Sequence, residues 1–80
     1  MKRVVFIDHA LERLRERKIS KELVMQALNE PDSVDTGYPG RKIAQKSLNG
    51  KIIRVIHEER DDEILVITAY IISKVKKYTG

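Results

Sequence analysis

The residues best suited to chemistry in this sequence are a histidine and two arginines that recur every four positions near its start. His9, Arg13 and Arg17 fall at i, i+4 and i+8 of a stretch with helical periodicity, so they line one face of a predicted helix. Histidine suits proton transfer at neutral pH, and arginine binds phosphate through paired donors. The competing interpretations are a histidine that bonds locally at a helix start and an arginine that pairs with Glu12 or Glu16 on a solvated face.

A further arginine interrupts the most apolar stretch of the chain. Arg54 has β-branched neighbours on both sides, within the segment Ile52 to Ile56. An arginine in such a central strand must contact an anion, pair with Glu58, or extend away from the sheet, because an uncompensated buried charge is costly. The pattern by itself allows phosphate binding and both alternatives.

Composition narrows the class of protein. Sixteen Lys and Arg oppose twelve Asp and Glu, for a formal net charge of +4, which favours a polyanionic partner without demanding one. Eighty residues predict a single domain, 1–80, and the absence of cysteine excludes disulfides and thiolate metal sites. The apolar run directly before Asp8, Val4 to Ile7, has only four residues, well short of a signal peptide or a membrane span. We therefore expect a cytoplasmic protein that does not associate with membranes.

Two short helices are predicted at the start of the chain. Asp8 is expected to cap the first, over residues 9–17, and Ser20 the second, from Lys21 to about Asn29, which Pro31 ends. The two-residue joint between them turns the helices back on one another, so they should form one layer.

A hairpin turn at Asn49-Gly50 sets the register of the next two strands. Asn-Gly is the strongest short hairpin signal, because a type I′ turn needs positive φ at both central residues. Closure of this turn pairs Leu48 with Lys51, Gln45 with Arg54, and Ile43 with Ile56.

The second turn, around residues 60–62, leaves two registers open. A two- or four-residue loop puts Arg54 on the same face as Ala69, whereas a three-residue loop with a left-handed Asp62 puts Arg54 beside Thr68 and Tyr70. We prefer the second, because it takes the arginine out of the core. The residues then expected beneath the helices are Ile53, Val55, Leu65, Ile67 and Ala69, and those on the open face are Gln45, Arg54, Thr68 and Tyr70.

These elements predict an α+β fold. Two N-terminal helices should pack on one face of a three- to four-stranded antiparallel sheet. The run Val4 to Ile7 either adds an edge strand or leads into the first helix.

Five segments of the chain together carry a resemblance, and they are His9 to Ile19, Gly40 to Lys42, Arg54 to Ile56, Val66 to Tyr70, and Ser73 to Tyr78. They resemble a family of small uncharacterised bacterial and archaeal proteins, which is similar to the BrnT toxins and through them to the RelE and ParE toxin superfamily. The resemblance implies a RelE-like fold and a type II toxin, a metal-independent endoribonuclease that cuts messenger RNA without a cofactor. A cognate antitoxin would hold it silent.

The resemblance also implies roles for particular residues. The catalytic set is His9, Arg13, Arg54 and Tyr78, and the RNA-binding set is Lys42, Tyr70, Lys74 and Lys77. Tyrosines would stack on bases and lysines would meet phosphates. His57 stands where such toxins usually carry an aromatic residue, so we expect it to pack or to lie at a rim. Ile72 departs from the family pattern, which has a polar residue there.

Two other functions fit the same residues. One is an RNA or ribosome binder that uses the basic face without cleavage. The other is a protein-interaction module whose exposed edge strand recruits a partner by strand addition.

Overall fold

Two helices and a five-stranded sheet make up the regular structure of the residues that the computed structural model describes, which are 2–37 and 39–73. The elements in chain order are β1 (Arg3–Phe6), α1 (Asp8–Arg17), α2 (Lys21–Asn29), β2 (Ser33–Thr36), β3 (Lys42–Leu48), β4 (Lys51–Glu59) and β5 (Glu63–Ser73). The expected α+β class is confirmed. Neither of these helices is long and apolar enough to cross a membrane.

The strand order across the sheet is β1-β5-β4-β3-β2, with β1 parallel to β5 and the other neighbours antiparallel. The expectation of three or four antiparallel strands is therefore too low in number, and it holds in direction for β2 to β5 but not for β1. Of the two alternatives for the run Val4 to Ile7, the edge strand is confirmed by β1, but local sequence carries little signal for its parallel partner or for β2. Arg3 pairs with Glu63, far along the chain, and the four residues of β2 are all exposed, without apolar alternation.

The chain leaves α1 through a left-handed turn that anchors the joint between the helices. Lys18 has φ 57°, and the next amide, of Ile19, donates to Leu14 O (2.9 Å). Ile19 is then buried, with 6% of its surface exposed. At the other end, Ile7 rather than Asp8 precedes the helix, and no side chain caps it, so the expected Asp8 cap is wrong.

The second helix begins and ends as expected. Ser20 Oγ accepts a hydrogen bond from the Leu23 amide (3.1 Å), and α2 ends at Asn29, shortly before Pro31. Val24 and Ala27 are its buried residues.

Both helices cover the same face of the sheet, because the buried residues of the two layers form one cluster. The cluster consists of Ala10, Leu14, Ile19, Val24, Ala27, Ala44, Ile53, Val55, Val66 and Ala69. The opposite face carries no helix in the described part of the chain, and we call it the open face.

The first hairpin has the predicted register. Leu48 pairs with Lys51, Gln45 with Arg54, and Ile43 with Ile56, and Gly50 has the positive φ (73°) that the turn requires.

The turn of the second hairpin is shorter than the three-residue loop expected. Arg60 N–H donates to Glu63 O (2.8 Å) and Glu59 lies opposite Ile64, so the turn has two central residues. Asp62 does not have positive φ, and the expected three-residue loop is wrong.

A β-bulge in β5 nevertheless brings Arg54 to its expected partner. The pairing with β4 jumps from Thr68 to Val66, which leaves Ile67 as the extra residue. Beyond this bulge Arg54 lies opposite Tyr70, as predicted.

The bulge also changes which residues of β5 face the helices. Val66 and Ala69 are both fully buried although they are three positions apart, a spacing that would put them on opposite faces of a regular strand. Ile53, Val55 and Ala69 lie beneath the helices as expected. Leu65 and Ile67 do not lie beneath the helices. Leu65 is adjacent to the buried Val66 and therefore points to the opposite face, and Ile67 lies with the residues of the open face.

Replacement of Lys18 by glycine is expected to stabilise the protein by about 0.5–1 kcal/mol, because glycine adopts the left-handed conformation without the steric cost of a Cβ. Urea denaturation followed by circular dichroism measures the free energy of unfolding. Lys18→Ala is the matched control, since it removes the same charge but keeps the Cβ, and it should not stabilise. Equal gains from both substitutions would contradict the conformational explanation.

Candidate functional site

A row of hydrogen-bonded polar side chains crosses the open face from β2 to β5. Arg54 Nε donates to Gln45 Oε1 (2.9 Å), and Arg54 Nη1 donates to the Tyr70 hydroxyl (3.4 Å). Gln45 Nε2 in turn donates to Asp35 Oδ2 (2.9 Å) and Ser33 Oγ (3.3 Å). We call these five residues the Arg54 row.

The sheet register places these side chains side by side, and the donors and acceptors that each one has determine the direction of their hydrogen bonds. Gln45 lies directly between Ser33 and Arg54, and Arg54 lies directly opposite Tyr70. Arginine has only donors, so Gln45 must turn its carbonyl oxygen toward Arg54. The amide nitrogen then points to Asp35, which can only accept when ionised. The guanidinium is therefore held by neutral acceptors in a defined position.

Arg54 contacts no carboxylate directly in the described part of the chain, and the carboxylate of the row, that of Asp35, is linked to it only through the Gln45 amide. The ion pairs there do not include Arg54, and Glu58, the partner that the sequence suggested, contacts Arg41 (3.3 Å) and Arg60 (3.5 Å) instead. Arg54 is half-buried. A half-buried guanidinium with neutral partners keeps both charge and donors for an external anion.

An apolar groove of about 510 Å³ adjoins the Arg54 row. It is lined by Gly37, Pro39, Arg41, Ile43, Ile56, Ile67 and Thr68. Ile43 and Ile56 are two residues from Gln45 and Arg54 on the same strands, so the groove lies about 7 Å from the row.

A second arginine without an acidic partner extends from α1 to Thr68, one of the residues that line this groove. Arg17 Nη1 donates to Ala69 O (2.9 Å) and Thr68 Oγ1 (3.3 Å), and Arg17 takes part in none of the ion pairs among the described residues. The sequence placed Arg17 only on a helix face with His9 and Arg13. No sequence signal pointed to its contact with β5, which depends on how the helix packs.

At the C-terminal end of β4 the situation is reversed, because the basic side chains there have a carboxylate partner. Glu59 Oε1 lies 3.1 Å from Lys42 Nζ and 3.5 Å from Lys2 Nζ. The hydrogen bond from Lys42 lowers the pKa of Glu59, the charges of Lys2 and Lys42 add to this, and partial burial opposes it.

His57 is a packing residue, as expected. It is 3% exposed, its Nδ1 lies 3.3 Å from Val55 O, and its Nε2 lies 3.9 Å from Glu59 Oε2. It faces the helices, on the side of the sheet away from Arg54.

Of the predicted site residues, the structure brings together Arg54 and Tyr70. His9 and Arg13 lie exposed on α1, in the layer on the other side of the sheet, and Arg13 pairs with Glu16 (3.4 Å). Lys42 is bound to Glu59 rather than placed in the Arg54 row. The remaining predicted residues, Lys74, Lys77 and Tyr78, lie outside the described residues.

The model of a family described as "Domain of unknown function (DUF4258)" matches residues 6–71. No curated protein and no solved structure matches the chain. The matched span contains the whole Arg54 row and the groove.

Glu59→Gln is expected to lower the free energy of unfolding at neutral pH by roughly 0.5–1 kcal/mol, the range of a partly exposed ion-pair cluster. Because folding lowers the pKa of Glu59, its ionised carboxylate stabilises the folded state at pH values above the ordinary pKa of 4.5. This stabilisation is lost as the pH falls through the pKa of the folded state. Urea titrations should therefore show a lower free energy of unfolding for Glu59→Gln than for the wild type at about pH 7, and a much smaller difference at about pH 3.

Glu16→Gln provides the control for Glu59→Gln, because Glu16 belongs to a more exposed pair, with 56% of its side chain accessible. Its effect should be smaller at both pH values. A Glu59→Gln deficit that persisted unchanged in acid would rule out ionisation of Glu59 as its cause.

Proposed function

This chain belongs to the family described as "Domain of unknown function (DUF4258)", and we propose that it acts on messenger RNA as a RelE-like toxin. The open face, centred on Arg54, would contact the RNA. The toxin class, the RelE-like fold, the cytoplasmic location and the cognate antitoxin are parts of this proposal that rest on the sequence resemblance.

The observation that supports the proposal is the uncompensated charge of Arg54. If the residue served packing alone, an apolar side chain of similar volume would stabilise its site at least as well. Glu58 lies on the same open face, yet it pairs with other arginines. The neighbouring Tyr70 offers a ring for base stacking beside a guanidinium that can bind phosphate.

Metal-independent RNA cleavage needs three groups. A base takes the proton of the 2′-hydroxyl, cations stabilise the pentacoordinate phosphorus, and an acid protonates the leaving 5′-oxygen. Arg54 is suited to the cationic role. The resemblance assigns the proton transfers to His9 and Tyr78, of which His9 lies on α1.

A second candidate is RNA binding without cleavage. It is favoured by the positions of the two histidines, since His57 is buried on the helix side and His9 is exposed on α1. Neither makes a hydrogen bond to the Arg54 row in the described part of the chain, so RNA held there would lack an adjacent histidine base.

Induction of the wild type in a bacterial host is expected to arrest growth and fragment messenger RNA. Arg54→Ala should reduce cleavage roughly 100-fold, the usual effect of removing one transition-state donor. Arg54→Lys should be intermediate, because lysine keeps the charge but loses the planar fork. Arg60→Ala is the control, since Arg60 lies in the exposed 60–63 turn. Circular dichroism of each purified variant verifies that it is folded.

The same strains separate the two candidates. Cleavage that is lost in His9→Ala as well as in Arg54→Ala supports the nuclease. Intact RNA and normal growth, combined with salt-sensitive RNA binding that Arg54→Ala weakens, would move the assignment to the non-catalytic binder. A wild type that neither cuts nor binds RNA contradicts both.

A further inference from the structure

Two guanidinium groups reach neighbouring positions of β5 from different elements. Arg17 comes from the end of α1 to Thr68 Oγ1 (3.3 Å), and Arg54 comes from β4 to the Tyr70 hydroxyl (3.4 Å). Thr68 and Tyr70 are two residues apart on the open face, a spacing of about 7 Å. Arg17 has access to this part of β5 because β1 pairs with it only as far as Val66.

Both arginines have neutral partners. Arg17 donates to a backbone carbonyl and a hydroxyl, and Arg54 donates to an amide oxygen and a hydroxyl. Arg41, which lines the groove itself, is different, because Glu58 Oε2 lies 3.3 Å from its Nε. Uncompensated positive charge is therefore concentrated on the β5 side of the groove.

The groove that adjoins Thr68 and the Arg54 row is apolar and of ligand size. Ile43, Ile56 and Ile67 line it together with Gly37 and Pro39, and about 510 Å³ lies within the range of small-ligand sites. Aliphatic walls suit the flat face of a nucleobase, and every base has such a face. A paired and stacked base in a duplex cannot enter, whereas an unstacked base of a single strand can.

Starting from the proposed function, we infer that this groove binds one unstacked nucleobase of single-stranded RNA while Arg17 and Arg54 hold phosphates of the same strand. Two separate guanidiniums beside one apolar site match the alternation of phosphate and base along a strand. The planar fork of arginine matches a phosphate. Arg17 is thereby a binding residue that acts together with Arg54. The chemical class of ligand is single-stranded RNA, with no requirement for a particular base.

The test measures binding alone. A single-stranded 2′-O-methyl RNA of about ten nucleotides lacks the nucleophile for cleavage, and fluorescence anisotropy over a range of salt concentrations reports its affinity. We expect it to bind at least about fivefold more tightly than a hairpin duplex of the same sequence or a strand in which all bases are removed, because loss of base stacking costs about 1–3 kcal/mol per base.

Substitution of each arginine tests the phosphate contacts. Arg17→Gln and Arg54→Gln should each make the slope of log K against log salt shallower by about 0.7, the value for one phosphate contact on a single strand. Arg17→Lys should restore most of the slope, which a merely structural role of Arg17 would not predict. Arg15→Gln is the matched control, because it removes one exposed charge from the same helix and should leave the slope close to that of the wild type.

The outcomes separate this inference from the proposed function. If duplex and base-free strand bind as well as the single strand, or if a folded Arg17→Gln variant keeps the full slope, the inference is overturned while Arg54-dependent action on RNA can still stand. If the wild type binds no RNA but binds an acidic, apolar peptide in this groove, the inference and the proposed function are both overturned.

Discussion

The bulge at Ile67 is the constraint on which the rest of this structure depends. The tight turn at residues 60–63 by itself would set Arg54 opposite Ala69, a fully buried residue beneath the helices. One extra residue in β5 shifts that pairing to Tyr70. It lets both Val66 and Ala69 face the core, and it gives the guanidinium of Arg54 neutral acceptors on the open face. The core and the candidate site thus have one common cause.

Which charges are paired, and where, says more about this protein than its net charge does. At one end of β4, Glu58 and Glu59 engage four basic side chains, those of Arg41, Arg60, Lys2 and Lys42. Near the bulge, Arg17 and Arg54 have only neutral partners among the described residues. A net charge of +4 is compatible with many functions. The location of uncompensated guanidiniums beside an apolar groove is far more specific.

Local patterns predicted the parts of the fold that short-range chemistry controls. The Asn49-Gly50 turn gave the register of β3 and β4, and with it the contact between Gln45 and Arg54. The Ser20 cap gave the start of α2. The argument from burial cost placed Arg54 beside Tyr70 correctly, although the loop proposed to achieve this was wrong. Each success rests on a stereochemical preference that acts within a few residues.

Sequence alone therefore determined the α+β class, both helices, the first hairpin and the position of Arg54 on the face away from the helices, because turn geometry, capping and the cost of burying charge are local. Only the tertiary structure decided the parallel pairing of β1 with β5, the position of the bulge, and the contacts of Arg17 and Asp35 with the open face. These depend on packing between segments distant in the chain. Many registers there satisfy the same local preferences, and the fit of the whole core selects one of them.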